Sequence, residues 1–194
     1  MKKIGLTGGI GSGKSIICDI LNIMGYPVFN SDNEAKLLMV SDPEVIQQIK
    51  DVFGEEAYVG NALNRPYLAN KVFKDESLKI ALNNIVHPAV RNAFDSWAEK
   101  KNAKLVFNEA AILFETGAYK AFDYTVLVTA PEKTRIERVI LRDKTTTEEV
   151  KLRMNNQWED EIKKEMASYV INNENNTLVI PQVLKIIKSI ESAI

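Results

Sequence analysis

Cysteine is almost absent from this chain of 194 residues. Cys18 stands alone, which excludes an internal disulfide framework and a thiolate metal cluster and matches a reducing compartment. His87 is the only histidine, and a lone imidazole is more often a structural residue than a catalyst. Charge imbalance is missing too. Twenty-five basic residues face 26 acidic ones, for a net charge of -1, so neither nucleic acid nor an anionic membrane surface is the default partner. No segment approaches the roughly 18 uninterrupted apolar residues of a membrane span. The opening Met1 to Gly8 breaks into glycines before it can form the apolar core of a secretory leader. Repeats, low-complexity tracts and flexible linkers are likewise lacking, and the length excludes a large multidomain machine. These absences predict a soluble cytoplasmic protein with no nucleic-acid or membrane partner; none of them specifies an oligomeric state.

What is present is concentrated at the start. Five of the 9 glycines, Gly5, Gly8, Gly9, Gly11 and Gly13, fall within the first 13 residues. A short apolar run, Lys3 to Thr7, precedes the cluster. A helical pattern follows it, with Ile16, Ile17, Ile20, Leu21 and Met24 apolar and Gly25 as the stop. Tyr26 to Asn30 reads as a second strand, with a helix beginning at Ser31-Asp32-Asn33. Asp32 to Lys101 is helical in period almost throughout, with breaks near Asp42-Pro43, Gly54, Gly60, Arg65-Pro66 and His87-Pro88. Strand patterns return at Lys104 to Asn108 and Tyr124 to Thr129. A basic helix from Pro131 to Arg142, a charged helical stretch from Asp143 to Lys164, a strand at Ser168 to Asn172 and an amphipathic helix from Thr177 to Ile194 complete the chain. Alternating strands and helices predict an α/β fold with right-handed crossovers.

Gly8-Gly9-Ile10-Gly11-Ser12-Gly13-Lys14-Ser15 fits G-x-x-x-x-G-K-[ST] and lies between a predicted strand and a predicted helix, the context this phosphate-binding loop requires. Glycines let successive backbone N–H groups converge on a phosphate chain, and the helix beginning near Lys14 adds its positive end. Lys14 is placed to reach the β and γ phosphates, and the Ser15 hydroxyl to join the shell of a Mg²⁺ ion. The alternative reading is a glycine turn that merely packs a helix on a strand.

A guanine-reading Asn-Lys-x-Asp stretch is missing, since Asn70-Lys71-Val72-Phe73 lacks the carboxylate, and Asp51-Val52-Phe53-Gly54 reads as a helix end rather than a switch. No Leu-Ser-Gly-Gly-like transporter signature occurs. A small-molecule kinase remains, which needs an acceptor-side carboxylate, a substrate pocket and a basic lid. Asp32, after the second strand, can take the acceptor proton or help orient Mg²⁺, or it can simply cap a helix, as can Ser31. Glu109 ends the third strand where a metal's water shell is commonly held, with Glu115 as the second choice. Arg138 and Arg142 share one helix face, and Arg153 and Gln157 repeat the spacing. They suit phosphate oxygens, or a solvated helix paired by Glu132, Glu137, Asp143 and Glu149. His87, before Pro88, is expected in extended backbone at the mouth of a helix. Trp97, Trp158, Met24 and Met39 read as packing residues.

The ordered set resembles the dephospho-coenzyme A kinase family. It comprises Ile4 to Ser15, Val28 to Asp32, Leu63-Asn64-Arg65 with Leu68 and Val72-Phe73, His87-Pro88 with Arg91, and Ile112 to Glu115. Arg138 with Arg142-Asp143, Arg153, Gln157 and Tyr169 to Asn173 complete it. That resemblance implies ATP-dependent phosphorylation of the ribose 3′-hydroxyl of dephospho-CoA, with ATP and Mg²⁺. It implies a P-loop three-layer fold with a five-stranded parallel sheet, a helical substrate-binding insertion and a helical lid. Residues 1–32, 101–137 and 165–194 are then the nucleotide-binding core, 33–100 the substrate subdomain and 138–164 the lid. It implies Asp32 as catalytic base, with Lys14, Arg138 and Arg142 beside it in catalysis. Arg65, His87 and Arg91 would lie near the acceptor, and Asn173 near adenine. The nucleotide-binding set is Gly8, Gly9, Gly11, Ser12, Gly13, Lys14, Ser15 and Ile16 with Arg142 and Asn173, and the metal set is Ser15 and Glu109.

Four positions depart from the family pattern. Asn30 and Asn64 stand where Asp is usual or frequent, Ala111 where Pro is frequent, and Ser168 where Asp is frequent. Asn30 leaves Asp32 as the carboxylate at that strand end. Other readings are a kinase of a nucleoside monophosphate or polyol, and an ATP-dependent regulatory binding protein.

Overall fold

The first apolar run forms strand β1 (Lys2–Gly8), whose residues from Ile4 to Gly8 are all buried. In a computed structural model that describes residues 1–193, β1 is the middle of a five-stranded sheet ordered β2-β5-β1-β6-β7, from β2 (Val28–Asn30), β5 (Leu105–Glu109), β6 (Tyr124–Thr129) and β7 (Tyr169–Asn172). β1 pairs in parallel with β5, Leu6 opposite Glu109, and with β6, Gly8 opposite Val128. Parallel strands buried on both faces need continuous apolar sequence rather than alternation, and Leu105 to Phe107 in β5 and Val126 to Val128 in β6 supply it. The chain passes to one side of β1 and later to the other, so the carboxyl end of β1 lies at the switch point where such sheets bind ligands.

Helix α1 (Lys14–Ile23) and the last helix, α9 (Val179–Glu191), supply Ile17, Leu21, Val183, Ile186, Ile187 and Ile190 to a core shared with Ile4, Leu6, Phe107, Val126, Val128 and Ile171. The last helix is shorter than the expected span of Thr177 to Ile194: it begins at Val179 and ends at Glu191, capped by Ser192, and only Ile194 lies outside the described residues. Helices α6 (Glu132–Asp143), α7 (Thr147–Met154) and α8 (Asp160–Met166) fall between β6 and β7. The expected lid boundary at residue 138 lies inside α6, which runs unbroken to Asp143 and ends where Lys144 turns left-handed at φ 52°.

The chain divides into two compact units. Met1–Phe29 with the chain from Asn102 onward holds the sheet, and Asn30–Lys101 is helical. The helical unit contains α2 (Ser31–Ser41), α3 (Pro43–Phe53), α4 (Arg65–Lys74) and α5 (Glu76–Glu99) around Val45, Ile49, Phe53, Ala57, Tyr58 and Leu68. Asp51 to Gly54 is a helix end, as read from sequence, with Gly54 at φ 84° closing α3. Two expectations fail in this unit. A two-strand hairpin, β3 (Tyr58–Val59) and β4 (Ala62–Leu63), interrupts the helices, and its two-residue strands are too short to show a period. His87-Pro88 does not break the chain either: Pro88 sits inside the 24-residue helix α5. The stripe Val86, Val90, Phe94 and Ala98 is buried, and that packing outweighs the roughly 3 kcal/mol of an interior proline.

Candidate active site

The loop after β1 is shaped by what crosses it. Gly11 has φ +77°, and a Cβ there would stand 2.4 Å from the backbone oxygen of Arg135. Gly13 has φ +92°, and its missing Cβ makes room for Asn173, whose Nδ2 donates to Ser12 O at 2.8 Å. Gly13 is also the N-cap of α1, with no side-chain cap and no acidic residue in the first turn. Side chains accept from the first N–H groups of α2, α3, α4, α5 and α7, while α6, α8 and α9 share with α1 the lack of a side-chain cap. An uncapped, positively polarised helix end at the tip of a glycine loop suits a phosphate group.

Lys14 is folded back along this loop, its Nζ donating to Gly8 O at 3.0 Å and lying 3.5 Å from Glu109 Oε1. Glu109 is buried at the end of β5. Glu115, the second choice, is committed elsewhere: its Oε1 accepts the Trp158 N–H at 3.0 Å and lies 3.6 Å from Lys163 Nζ. Glu109 is therefore the carboxylate beside Lys14. Ser15 and Ile16 are exposed in the first turn of α1, while Ser12 is wholly buried with its hydroxyl unpartnered.

Arg138 and Arg142 share the face of α6 but are held differently. Arg138 Nη2 donates to Asn173 O at 3.1 Å and Asn175 Oδ1 at 3.3 Å, while its Nη1 is buried with no partner among the described residues. That orphaned donor suits a bound anion. Arg142 pairs with Asp143 at 2.7 Å, and Asp143 also receives Arg153 at 2.8 Å, all on an exposed surface.

The remaining predicted residues lie in the helical unit. Asp32 is exposed in the first turn of α2, two residues beyond β2, and it does not cap the helix. Asn30 does, its Oδ1 accepting the Asn33 N–H at 2.8 Å. Asn64 likewise caps α4, accepting the Tyr67 N–H at 3.3 Å. The amide oxygens thus do the capping work that an aspartate would do. Ser168, a third departure, exchanges two hydrogen bonds with Thr125, at 3.1 and 3.0 Å. Arg65 opens α4, exposed. His87 and Arg91 stand one turn apart on α5, not in the extended segment expected for His87. Burial, then the Arg91 charge, holds the imidazole below its ordinary range.

Sequence reasoning missed Arg135 as a site residue and gave Gln157 only a lid position. Arg135 Nε donates to Ile10 O at 2.9 Å, and Gln157 Oε1 accepts the Ile10 N–H at 2.8 Å. Gln157 lies beyond the end of α7, so its helical spacing from Arg153 is not realised on a helix. The residues involved are more than a hundred positions apart, and no local pattern links them.

A Mg²⁺ site can be tested against the chemistry of the donors. Among the described residues no cluster of three or more His, Cys, Asp or Glu could cage an ion. Mg²⁺ in such enzymes is held mainly by phosphate oxygens and water with one or two protein groups, and Ser15 with Glu109 fits that pattern.

A parallel sheet with a phosphate loop at its switch point and an arginine-bearing helix beside it defines a P-loop nucleotide-binding protein of small-molecule-kinase architecture. The comparisons narrow this class. The family model described as Dephospho-CoA kinase matches residues 2–178. A Bacteroides fragilis protein named dephospho-CoA kinase is 40% identical over 186 residues, 95% of this chain and 91% of its own. A Thermus thermophilus crystal structure superposes with TM-score 0.85 at 35% identity, covering 100% of this chain and 97% of its own. Dephospho-CoA kinase from Campylobacter jejuni gives TM-score 0.71 at 25% identity, over 98% of each chain. The chain belongs to the dephospho-CoA kinase family.

Proposed function

We propose that the chain transfers the terminal phosphoryl group of ATP to the ribose 3′-hydroxyl of dephospho-CoA, giving coenzyme A and ADP, the last step of CoA biosynthesis, in the cytoplasm. The family match over residues 2–178 carries the reading, and the uncapped α1 terminus beneath the glycine loop supports it. The hydroxyl oxygen attacks the γ phosphorus as its proton passes to the Asp32 carboxylate, and the bond to the bridging oxygen breaks to release ADP. Gly8 to Ser15 surround the phosphates, with N–H groups at the start of α1 donating to them. Lys14 leaves Gly8 O to follow the β and γ oxygens, and Arg138 and Arg142 balance equatorial charge. Ser15 and Glu109 would hold Mg²⁺, which supplies neutralisation of charge on the phosphate oxygens. Arg65, His87 and Arg91 bind the acceptor, and Asn173 lies on the nucleotide side.

ADP formation measured with ATP, Mg²⁺ and a panel of acceptors tests this. Release stimulated by dephospho-CoA alone is expected. Equal stimulation by a nucleoside monophosphate or polyol overturns the substrate assignment, and ATP binding without acceptor-stimulated ADP release points instead to a regulatory binding protein.

A further inference from the structure

The backbone of Ile10, third residue of the glycine loop, is held on both sides by distant side chains. Its N–H donates to Gln157 Oε1 at 2.8 Å and its C=O accepts from Arg135 Nε at 2.9 Å. Gln157 is used at both ends as well, its Nε2 donating to Ala111 O at 3.1 Å. Ala111 lies two residues beyond Glu109, the last residue of β5. One side-chain amide thus ties the glycine loop, which must hold the phosphates, to the loop that follows Glu109.

The segment carrying Gln157 is anchored in turn. Trp158 N–H donates to Glu115 Oε1 at 3.0 Å, and Arg135 Nη1 meets Asp160 Oδ2 at 3.0 Å. Lys163, only 1% exposed, lies 3.4 Å from Asp160 Oδ1 and 3.6 Å from Glu115 Oε1. Buried charges are retained only when paired, so this chain of contacts gives the 157–163 segment a fixed seat against the loop. An amide that satisfies one donor and one acceptor on two loops sets the spacing between them, because a change in that spacing strains or breaks at least one of the two bonds.

We propose that Gln157 is a positioning residue for phosphoryl transfer, acting through Ile10 to hold the outer limb of the glycine loop and through Ala111 to hold that limb in register with Glu109. The inference rests on the phosphotransfer reading above. The inner phosphates of a nucleotide are cradled by the N–H groups at the start of α1, on the other limb of the loop. Loss of Gln157 therefore acts on alignment of the terminal phosphoryl group, where a displacement of about 1 Å costs about 100-fold in rate, and not on ADP affinity.

The test compares Gln157→Met, which removes both bonds, with Gln157→Glu, which keeps the acceptor for Ile10 and loses the donor to Ala111. Four quantities are read in the full chain: kcat with saturating ATP and dephospho-CoA, the ADP dissociation constant, the amide proton shift of Ile10, and the melting temperature. Gln157→Met is expected to lower kcat by about 10-fold to 100-fold, leave ADP affinity within about two-fold, and move the Ile10 amide upfield as its hydrogen bond is lost. Gln157→Glu is expected to keep the Ile10 amide downfield and to recover part of the rate. A kcat within two-fold of the parent in Gln157→Met, or parallel losses of kcat and ADP affinity, overturns the proposal. A purely structural role would lower the melting temperature with kcat per folded molecule unchanged, which overturns it too. If the parent protein shows no dephospho-CoA-dependent turnover, the functional reading fails by itself; intrinsic ATP hydrolysis then supplies the rate, and the same criteria apply.

Discussion

Replacing Lys14 with methionine removes a phosphate ligand and one half of a shielded ion pair, and the two losses separate in a double-mutant cycle with Glu109→Gln. Lys14 Nζ lies 3.5 Å from Glu109 Oε1, with the side chains 13% and 10% exposed. At an effective dielectric of about 20, that separation corresponds to roughly 5 kcal/mol of gross attraction. Desolvation of both groups cancels most of it, leaving about 1–3 kcal/mol. Lys14→Met removes the cation beside a buried carboxylate, so a loss near 2 kcal/mol is expected, equivalent to about 4–8 °C for a chain of this size. Glu109→Gln leaves the ammonium with Gly8 O at 3.0 Å and costs less. In the double variant the losses do not add, and the coupling is about 1 kcal/mol or more. Turnover behaves differently. Lys14→Met loses about 1,000-fold or more in kcat through its missing charge at the phosphates, and Glu109→Gln does not restore it. Urea and thermal unfolding by circular dichroism, with steady-state kinetics, read both axes. Stability losses additive within about 0.3 kcal/mol, or recovered turnover in the double variant, refute the reasoning.

Three other outcomes are expected. Asp32→Asn lowers kcat by about 100-fold to 10,000-fold with little change in melting temperature, while Asn30→Ala costs about 1 kcal/mol of stability through its lost cap; comparable destabilisation in both would assign Asp32 a structural role. His87 has its folded-state pKa lowered by burial and by Arg91, so the folded state binds fewer protons than the unfolded chain. Stability is then full above the ordinary imidazole range near 6.5 and is lost as pH falls below it; unfolding curves at pH 5.5 and 7.5 should show a slope that His87→Gln reduces, and an identical slope in the variant contradicts this. Burial, reinforced by Glu109, pushes the Cys18 thiol up to about 12, so alkylation at pH 8 should be far slower than for an unstructured thiol, and an equal rate would count against it.

The glycine loop, its strand and its helix were legible because eight consecutive residues carry the chemistry and the flanking periodicity is local. Glu109 was legible for a similar reason, as a carboxylate ending an apolar run. What could not be read is long-range. Ile10 meets Arg135 and Gln157 across more than a hundred residues, and a basic residue on an amphipathic helix gives no sign that its guanidinium will be buried under a loop. His87 shows the opposite error. The rule for residues before proline is local, and the buried stripe of α5 overrode it. Asn30 was legible as a departure, but its cap on α2 depends on where the helix starts, which sequence fixes only to within a few residues.

The sheet unit is built from two separate stretches of chain, Met1–Phe29 and everything from Asn102 onward, while the helical unit is one continuous piece, Asn30–Lys101. Synthesis runs in one direction, so the helical piece can gather its core as soon as it clears the ribosome, from contacts among its own neighbours. Strand β1 precedes the helical piece yet waits for β5 and β6, whose partner residues lie about a hundred positions later. The strand that carries the glycine loop is therefore made before the helical piece and paired after it. A chain truncated before Thr129 would carry the whole glycine loop and still have neither of the side chains that grip Ile10.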